Sequence, residues 1–152
     1  MRKTVLLLAA SVLALAVIAL AQNPNVGTWK MNSAKSKFSS APTKSYIIKI
    51  EAQGGSFKFV QDMVDADGKA IHRTWTAKYD GKDYPVVASD ADAFSCTRPD
   101  ANTTKYVMKK NGKEVWSGQA VVSKDGKTSI DTGGGKDEKG QAFTYSIFAE
   151  KQ

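Results

Sequence analysis

The chain has 152 residues, 22 Lys and Arg against 15 Asp and Glu, a formal net charge of +7 and a single cysteine. The basic residues are scattered rather than gathered into a stripe, which argues against nucleic-acid binding and allows at most a weak attraction to anionic membrane or envelope surfaces. One cysteine excludes an intrachain disulfide, so an apolar core has to hold the fold.

Residues 1–21 have the pattern of a secretory signal peptide. Arg2 and Lys3 precede an uncharged, almost wholly apolar run from residue 5 to 20, which ends in the small-residue cleavage pattern Ala19-Leu20-Ala21. A retained membrane anchor is the alternative, because about 16 apolar residues approach the roughly 17 to 25 that a spanning helix needs. The small residues at the boundary favour cleavage.

Cleavage is expected between Ala21 and Gln22, and Pro24 shortly afterwards would interrupt any helix that continued across the boundary. No cysteine follows Ala21, so the boundary does not predict a bacterial lipoprotein. We therefore expect a secreted or periplasmic protein with one domain over residues 22–152, and a monomer.

The predicted mature chain consists of short hydrophobic runs with a period of two, which is typical of β-strands. No window of a dozen residues carries a helical stripe. The predicted strands cover residues 26–31, 46–51, 57–63, 71–79, 84–88, 93–98, 103–109, 113–122, 128–132 and 142–149. The fold class is therefore all-β.

Short turns containing glycine separate most of these runs, for example Asp80-Gly81, Asn111-Gly112 and Asp125-Gly126. Such turns join antiparallel strands, because parallel strands need much longer crossovers. Residues 133–140 form the longest polar break and are predicted to be a hairpin tip. An antiparallel up-and-down barrel of about 8 to 10 strands is favoured over a sandwich, because closure leaves no strand edge exposed.

Gly27-Thr28-Trp29 in the first predicted strand resembles the G-x-W signature of the lipocalins and the wider calycin superfamily. Together with residues 79–86, the longer segment 27–38 resembles small exported bacterial proteins with a lipocalin-like fold and no assigned activity. The resemblance implies that Trp29 plugs one end of the barrel and packs against a basic residue of a late strand. The strand count resembles the fatty-acid-binding-protein and nitrobindin branch, and neither the C-terminal helix nor the disulfides of typical lipocalins are expected.

The strongest candidate site lies on one face of the strand over residues 71–79. Alternation places Arg73, Trp75 and Tyr79 together on this face, where the guanidinium could receive a ligand carboxylate while the rings cover an apolar body. The alternative is that Arg73 lies near the strand end, reaches solvent and stacks on Trp75.

Weaker candidates combine a polar and an apolar side chain on one strand face. They are Gln61 with Phe59 and Met63, Arg98 with Cys96 and Phe94, and Tyr106 with Met108.

The sequence offers no catalytic or metal-binding constellation. His72 is the only histidine and would lie on the face opposite Trp75, so neither a zinc site nor a triad is predicted, and haem ligation has no support. Cys96 has no neighbouring base in sequence and is interpreted as a small buried residue. Asp62, Asp65 and Asp67 lack the spacing of a calcium loop and are interpreted as part of a turn. No cofactor is expected.

These features predict an exported, non-enzymatic binding protein for a small, largely hydrophobic ligand, with or without an anionic group. The alternative is a structural or interaction module of the cell envelope whose barrel has a solid core. The inside of the barrel discriminates between the two hypotheses.

Overall fold

A computed structural model describes residues 23–137 and 139–152. The predicted signal peptide, residues 1–21, lies outside the described residues. Within the described part of the chain, no helix is long and apolar enough to cross a membrane. All described residues belong to the predicted mature domain, residues 22–152.

The described chain contains eleven strands and one short 3₁₀ helix, at Ser33–Lys35. The strands are β1 (Gly27–Met31), β2 (Lys37–Phe38), β3 (Ser45–Gln53), β4 (Ser56–Val64), β5 (Ala70–Ala77), β6 (Tyr84–Val87), β7 (Ala93–Thr97), β8 (Thr103–Lys110), β9 (Lys113–Val122), β10 (Thr128–Lys136) and β11 (Ala142–Lys151). All ten predicted strands are present. The two-residue β2 is the only strand in the described part of the chain that was not predicted.

Ten of these strands form a closed barrel in which all neighbours are antiparallel. From β3 to β11 each strand pairs with the next, and β1 closes the ring by pairing with both β3 and β11. β2 pairs with β11 farther along, at Tyr145 and Ser146. The predicted all-β fold, an antiparallel up-and-down barrel of about 8 to 10 strands, is confirmed by this pairing.

Alternation along the strands fixes which side chains face inward. In β5, Arg73, Trp75 and Ala77 are buried, whereas His72 and Thr76 are exposed. Side chains of successive strand residues point to opposite faces, so a period of two in the sequence becomes an interior and an exterior face. The predicted face of Arg73 and Trp75 is therefore the interior of the barrel.

The hairpin between β8 and β9 shows how the glycine turns set the register. Asn111 and Gly112 connect the two strands, with φ of 51° and 73°. Positive φ at both central residues is the type I′ geometry, whose twist matches that of the flanking strands. The Asn-Gly pair was the sequence signal for this hairpin.

Several strand limits differ from the prediction, and three of the differences concern residues near the cavity. β10 continues to Lys136 rather than ending at residue 132, because Gly133, Gly134 and Gly135 pair with β9 on one side and β11 on the other. β5 ends at Ala77 and β7 at Thr97, so Tyr79 and Arg98 lie just beyond their strands. The predicted polar tip thus shrinks to the residues that follow Lys136.

The first strand closes one end of the barrel, which we call the closed end. The Trp29 side chain is buried, its Nε1 donates to the Asn25 carbonyl at 2.8 Å, and the Nζ of Lys151 lies 4.8 Å from its ring centroid. Lys151 ends β11, so the packing of Trp29 against a basic residue of a late strand is confirmed. Gly27 makes room for this contact, since a Cβ there would approach Lys151 Cε to 3.0 Å.

Candidate ligand-binding cavity

The barrel encloses a cavity of about 910 Å³. Apolar side chains from many strands line it, including Ile48, Phe59, Trp75, Phe94, Met108 and Trp116. Away from Trp29, the lining continues into the connections that join the strands, among them Ser40, Asp65, Ser89 and Asp137. We call this the open end. The interior is therefore not the solid core that the envelope-module hypothesis expects.

An aromatic cluster forms part of the cavity wall. Phe59 and Trp75 stack with ring centroids 5.1 Å apart, and Phe94 packs against both at a tilt, 5.5 Å from Phe59 and 5.1 Å from Trp75. All three side chains are buried. Offset and tilted arrangements of this kind are the favourable ones for aromatic rings, so the three side chains form one continuous aromatic surface.

Arg73 lies inside the barrel and is almost completely buried, at 5% exposure. Its Nε donates to Asp90 at 2.9 Å, and a second guanidinium nitrogen also donates to the Asp90 carboxylate. The third nitrogen donates to Gln61 Oε1 at 2.8 Å and to the Met63 sulfur at 3.1 Å. The guanidinium also lies over Trp116, 4.8 Å from its ring centroid. The hypothesis that Arg73 reaches solvent and stacks on Trp75 is therefore wrong.

The Arg73–Asp90 pair is balanced in charge. Burial opposes ionisation of Asp90, but the hydrogen bonds and positive charge of Arg73 outweigh it and hold the pKa of Asp90 below its usual value. Four of the five guanidinium N–H groups already have acceptors. A ligand carboxylate would have to displace Asp90 to gain a bidentate contact with Arg73.

A second polar cluster consists of Tyr106, Asp131 and Tyr145, from β8, β10 and β11. Tyr106 Oη donates to Asp131 Oδ1 at 2.6 Å and lies 2.5 Å from Tyr145 Oη. Burial raises the pKa of Asp131 to about 7, although the hydrogen bond from Tyr106 acts in the opposite direction. Burial and the charge of Asp131 raise the pKa of both phenols. All three residues line the cavity, so the exposed part of Asp131 faces the cavity.

Two glycines create the space in which the phenols meet. Tyr106 pairs with Gly118, Gly118 with Gly133, and Gly133 with Tyr145, so these residues form one row across four strands. A Cβ on Gly118 would lie 2.8 Å from Tyr106 Oη, and a Cβ on Gly133 would lie 2.4 Å from Tyr145 Oη. The tyrosines therefore reach toward each other over a strip of wall that carries no side chains.

Tyr79 and Arg98 lie toward the closed end. Asn23 Nδ2 donates to Tyr79 Oη at 3.1 Å, and the Arg98 guanidinium lies 5.5 Å from the Tyr79 ring centroid. Tyr79 borders the cavity, whereas Arg98 is not among its lining residues. The structure thus gives Arg98 a place in packing the closed end rather than at the cavity.

Six of the seven predicted site residues line the cavity: Arg73, Trp75, Tyr79, Phe59, Gln61 and Tyr106. Sequence reasoning missed Asp90, Trp116, Asp131 and Tyr145. In β10 the signal was misleading, because Ile130 is 46% exposed on the outside while Asp131 faces inward. A hydrophobic residue beside an aspartate predicts the opposite orientation.

The two potentially reactive side chains lie away from this polar cluster. His72 is exposed on the outer face, with Nδ1 2.7 Å from Asp62 Oδ1. Cys96 is buried, and burial together with the charge of Asp80 raises the pKa of its thiol to about 12. A thiol with such a pKa is almost wholly protonated near neutral pH and is a poor nucleophile.

No protein-family model matches the chain, and no curated protein matches it. Among solved structures, EF1p2_mFAP2b bound to DFHBI is 12% identical, with a TM-score of 0.49 over 85% of this chain and 94% of that chain. Zebrafish ileal bile acid-binding protein complexed with cholic acid is 9% identical, with a TM-score of 0.48 over 85% of this chain and 99% of that chain. Likenesses this distant do not bear on function, and the fold rests on the strand pairing described above.

Proposed function

We propose that this protein binds a small, largely apolar molecule inside its barrel and performs no chemistry on it. The observation that carries the proposal is the cavity of about 910 Å³ within a closed barrel. Protein interiors are close-packed, with few voids larger than a water molecule. An opening of this size is therefore unlike a packing defect, and it falls in the range of roughly 300 to 1,000 Å³ that is usual for small-molecule sites.

The composition of the wall supports an apolar ligand. Phe59, Trp75, Phe94 and Trp116 present aromatic surface, whereas many of the charged lining residues, such as Asp65 and Asp137, belong to the open end. Apolar walls with a few placed polar groups are typical of sites that bind through the hydrophobic effect and orient the ligand by hydrogen bonds. The anionic variant of the hypothesis has less support, since Asp90 already neutralises Arg73.

Binding of the neutral fluorescent probe N-phenyl-1-naphthylamine to the purified protein tests the proposal. We expect saturable binding with increased probe fluorescence, because the cavity removes the probe from water. Ala120→Trp should reduce this binding about tenfold, because Ala120 lines the cavity and an indole there would project into the space that the probe needs. Its strand neighbour Gln119 is exposed on the outside, so Gln119→Trp is the matched control and should bind like the unmodified protein.

Circular dichroism must show that both variants remain folded. Equal probe binding by the unmodified protein and Ala120→Trp, or no binding by any of them, would refute an internal site. Loss of binding in Gln119→Trp alone would place the probe on the outer surface.

We further propose that the protein acts outside the cytoplasm after removal of residues 1–21. The support is the basic, apolar and small-residue order of the first 21 residues. In a bacterial host, the mass of the exported protein should correspond to a chain that begins at Gln22. Ala19→Arg and Ala21→Arg together should block processing, because small residues are needed at both positions. A full-length chain in the soluble cytoplasmic fraction would contradict export.

A further inference from the structure

We propose that Tyr106, Asp131 and Tyr145 form a polar subsite that binds the protonated amino group of a ligand whose body is apolar. The inference rests on the proposed function, because it names the chemistry of the ligand that would enter the same cavity. It is carried by the hydrogen-bond directions within the cluster, by the pairing of the other charged groups and by the way the wall is built.

The hydroxyl protons of the cluster determine which hydrogen-bonding groups it presents to the cavity. An ionised Asp131 can only accept, so Tyr106 donates its single hydroxyl proton to Asp131 Oδ1 in that state. At 2.5 Å from Tyr145 Oη, Tyr106 Oη must then be the acceptor, so the Tyr145 proton is also used within the cluster. With Asp131 ionised, the remaining sites are lone pairs on Asp131 Oδ2 and on the phenol oxygens. The cluster therefore presents hydrogen-bond acceptors to the cavity, and a ligand group that donates hydrogen bonds would complement it.

Asp131 also differs from Asp90 in having no protein cation beside it. Among the described residues, no Lys, Arg or His nitrogen lies within ion-pair distance of the Asp131 carboxylate. Asp90, by contrast, holds Arg73 through two hydrogen bonds. A carboxylate removed from water gains most from a partner that is both charged and a hydrogen-bond donor. An ammonium group supplies both.

The wall around the cluster is built to bring these groups together. Neighbouring strands lie about 4.8 Å apart, so Tyr106 and Tyr145 start roughly 14 Å apart along the curved wall. Their hydroxyls meet because Gly118 and Gly133 leave the wall between them bare. Aromatic and aliphatic side chains, including Trp116 and Ile147, border the same cavity and would cover the apolar body.

A series of ligands with one apolar body and different polar ends tests the inference. We would measure, by isothermal titration calorimetry at pH 7.5, the binding of 1-methylnaphthalene, 1-naphthoic acid and 1-naphthylmethylamine. The amine should bind the unmodified protein about tenfold to a hundredfold more tightly than 1-methylnaphthalene, the range expected of a hydrogen bond to a charged group. Naphthoic acid should bind no better than 1-methylnaphthalene.

Asp131→Asn keeps an acceptor for Tyr106 and removes the charge, so it should abolish the preference for the amine and leave the affinity for 1-methylnaphthalene within about threefold. Asp62→Asn removes the same charge from the outer face, where Asp62 pairs with His72, and should keep the preference. The Asp62 variant thereby controls for the overall charge of the protein.

The outcomes separate this inference from the proposed function. Binding of 1-methylnaphthalene without any preference for the amine, or a preference for naphthoic acid, would overturn the inference and leave the proposed function standing. A preference that survives Asp131→Asn would also overturn it. Failure of every ligand to bind would overturn both. If Asp131→Asn does not fold, the order of the three affinities in the unmodified protein still tests the predicted preference for the amine.

Discussion

Two aspartates inside this barrel lie in contrasting electrostatic surroundings. Asp90 is paired with the buried Arg73 and has a lowered pKa, whereas Asp131 accepts a hydrogen bond from a neutral phenol and has a pKa raised to about 7. The first arrangement compensates buried charge within the protein. The second leaves a carboxyl whose ionisation is costly until something else compensates it.

The Arg73–Asp90 pair should contribute strongly to stability. Asp90→Asn leaves the guanidinium buried without a counter-charge, so the free energy of unfolding should fall by about 2–4 kcal/mol. Asp83→Asn breaks the exposed pair with Lys109 and should cost less than about 1 kcal/mol. Urea denaturation of both variants checks this, and similar losses in the two would contradict the difference in burial.

Ionisation of Asp131 should make stability fall with rising pH. Its folded pKa of about 7 exceeds the ordinary value of 3.8, so the stabilising effect is complete below pH 4 and is lost as the pH rises through 7. Tyr46, Tyr106 and Tyr145 interact with its charge, but their own pKa values are raised above 10, so these phenols stay neutral in this window.

Asp131→Asn removes this titration. At pH 8 the variant should be more stable than the unmodified protein by about 1–3 kcal/mol, because one pKa unit corresponds to about 1.4 kcal/mol and the cavity side of the carboxyl remains open to solvent. At pH 4 the two proteins should be equally stable. Thermal denaturation from pH 4 to 8 measures the difference in stability between the two proteins. A difference that does not change with pH would contradict a raised pKa of Asp131.

At the scale of strands, the glycines of β9 and β10 shape the cavity wall. A Cβ on Gly133 would meet both Tyr145 Oη and the backbone oxygen of Ser117 at 2.4 Å. Backbone cannot move aside as a flexible side chain can, so the contact forces a shift of the strands. A run of three glycines that looks like a loop in the sequence is a strand that has to lie close to its neighbours.

Gly133→Ala should therefore destabilise the protein by about 1–3 kcal/mol, the usual range for overpacking. Thr132→Ala, one residue earlier in the same strand, should cost only about 0.5 kcal/mol because its side chain points to the outside. Chemical denaturation measures the free energy of unfolding of the two variants. Equal stability of Gly133→Ala and the unmodified protein would show that the wall has room which the structure does not indicate.

Most strands could be predicted from the sequence because alternation and turn residues agree. The limits of β9 match the prediction at both ends, and the Asn111-Gly112 turn before it leaves little choice of register. In β10 the two signals disagree, since the glycines lower strand propensity and Ile130 points outward. In β10 the pairing with β9 and β11 determines the length and orientation of the strand, and a local stretch of sequence does not contain this long-range information.

At the scale of the whole molecule, the closed end could be predicted from the sequence, whereas the cavity could not. The plug of Trp29 under Lys151 followed from the resemblance of the first strand, because a short motif is sufficient to place it. The choice between a solid core and a cavity could not be made from alternation, since both need inward apolar residues. It depends on the radius of the ring and on how far each side chain reaches across it.

The most direct test of an internal ligand site is a crystal structure of the protein grown with N-phenyl-1-naphthylamine. We predict electron density for the probe inside the barrel, in contact with Trp116 and beside the row of Tyr106 and Tyr145. An interior filled by protein side chains, with the probe absent or bound only to the outer surface, would contradict the proposed function.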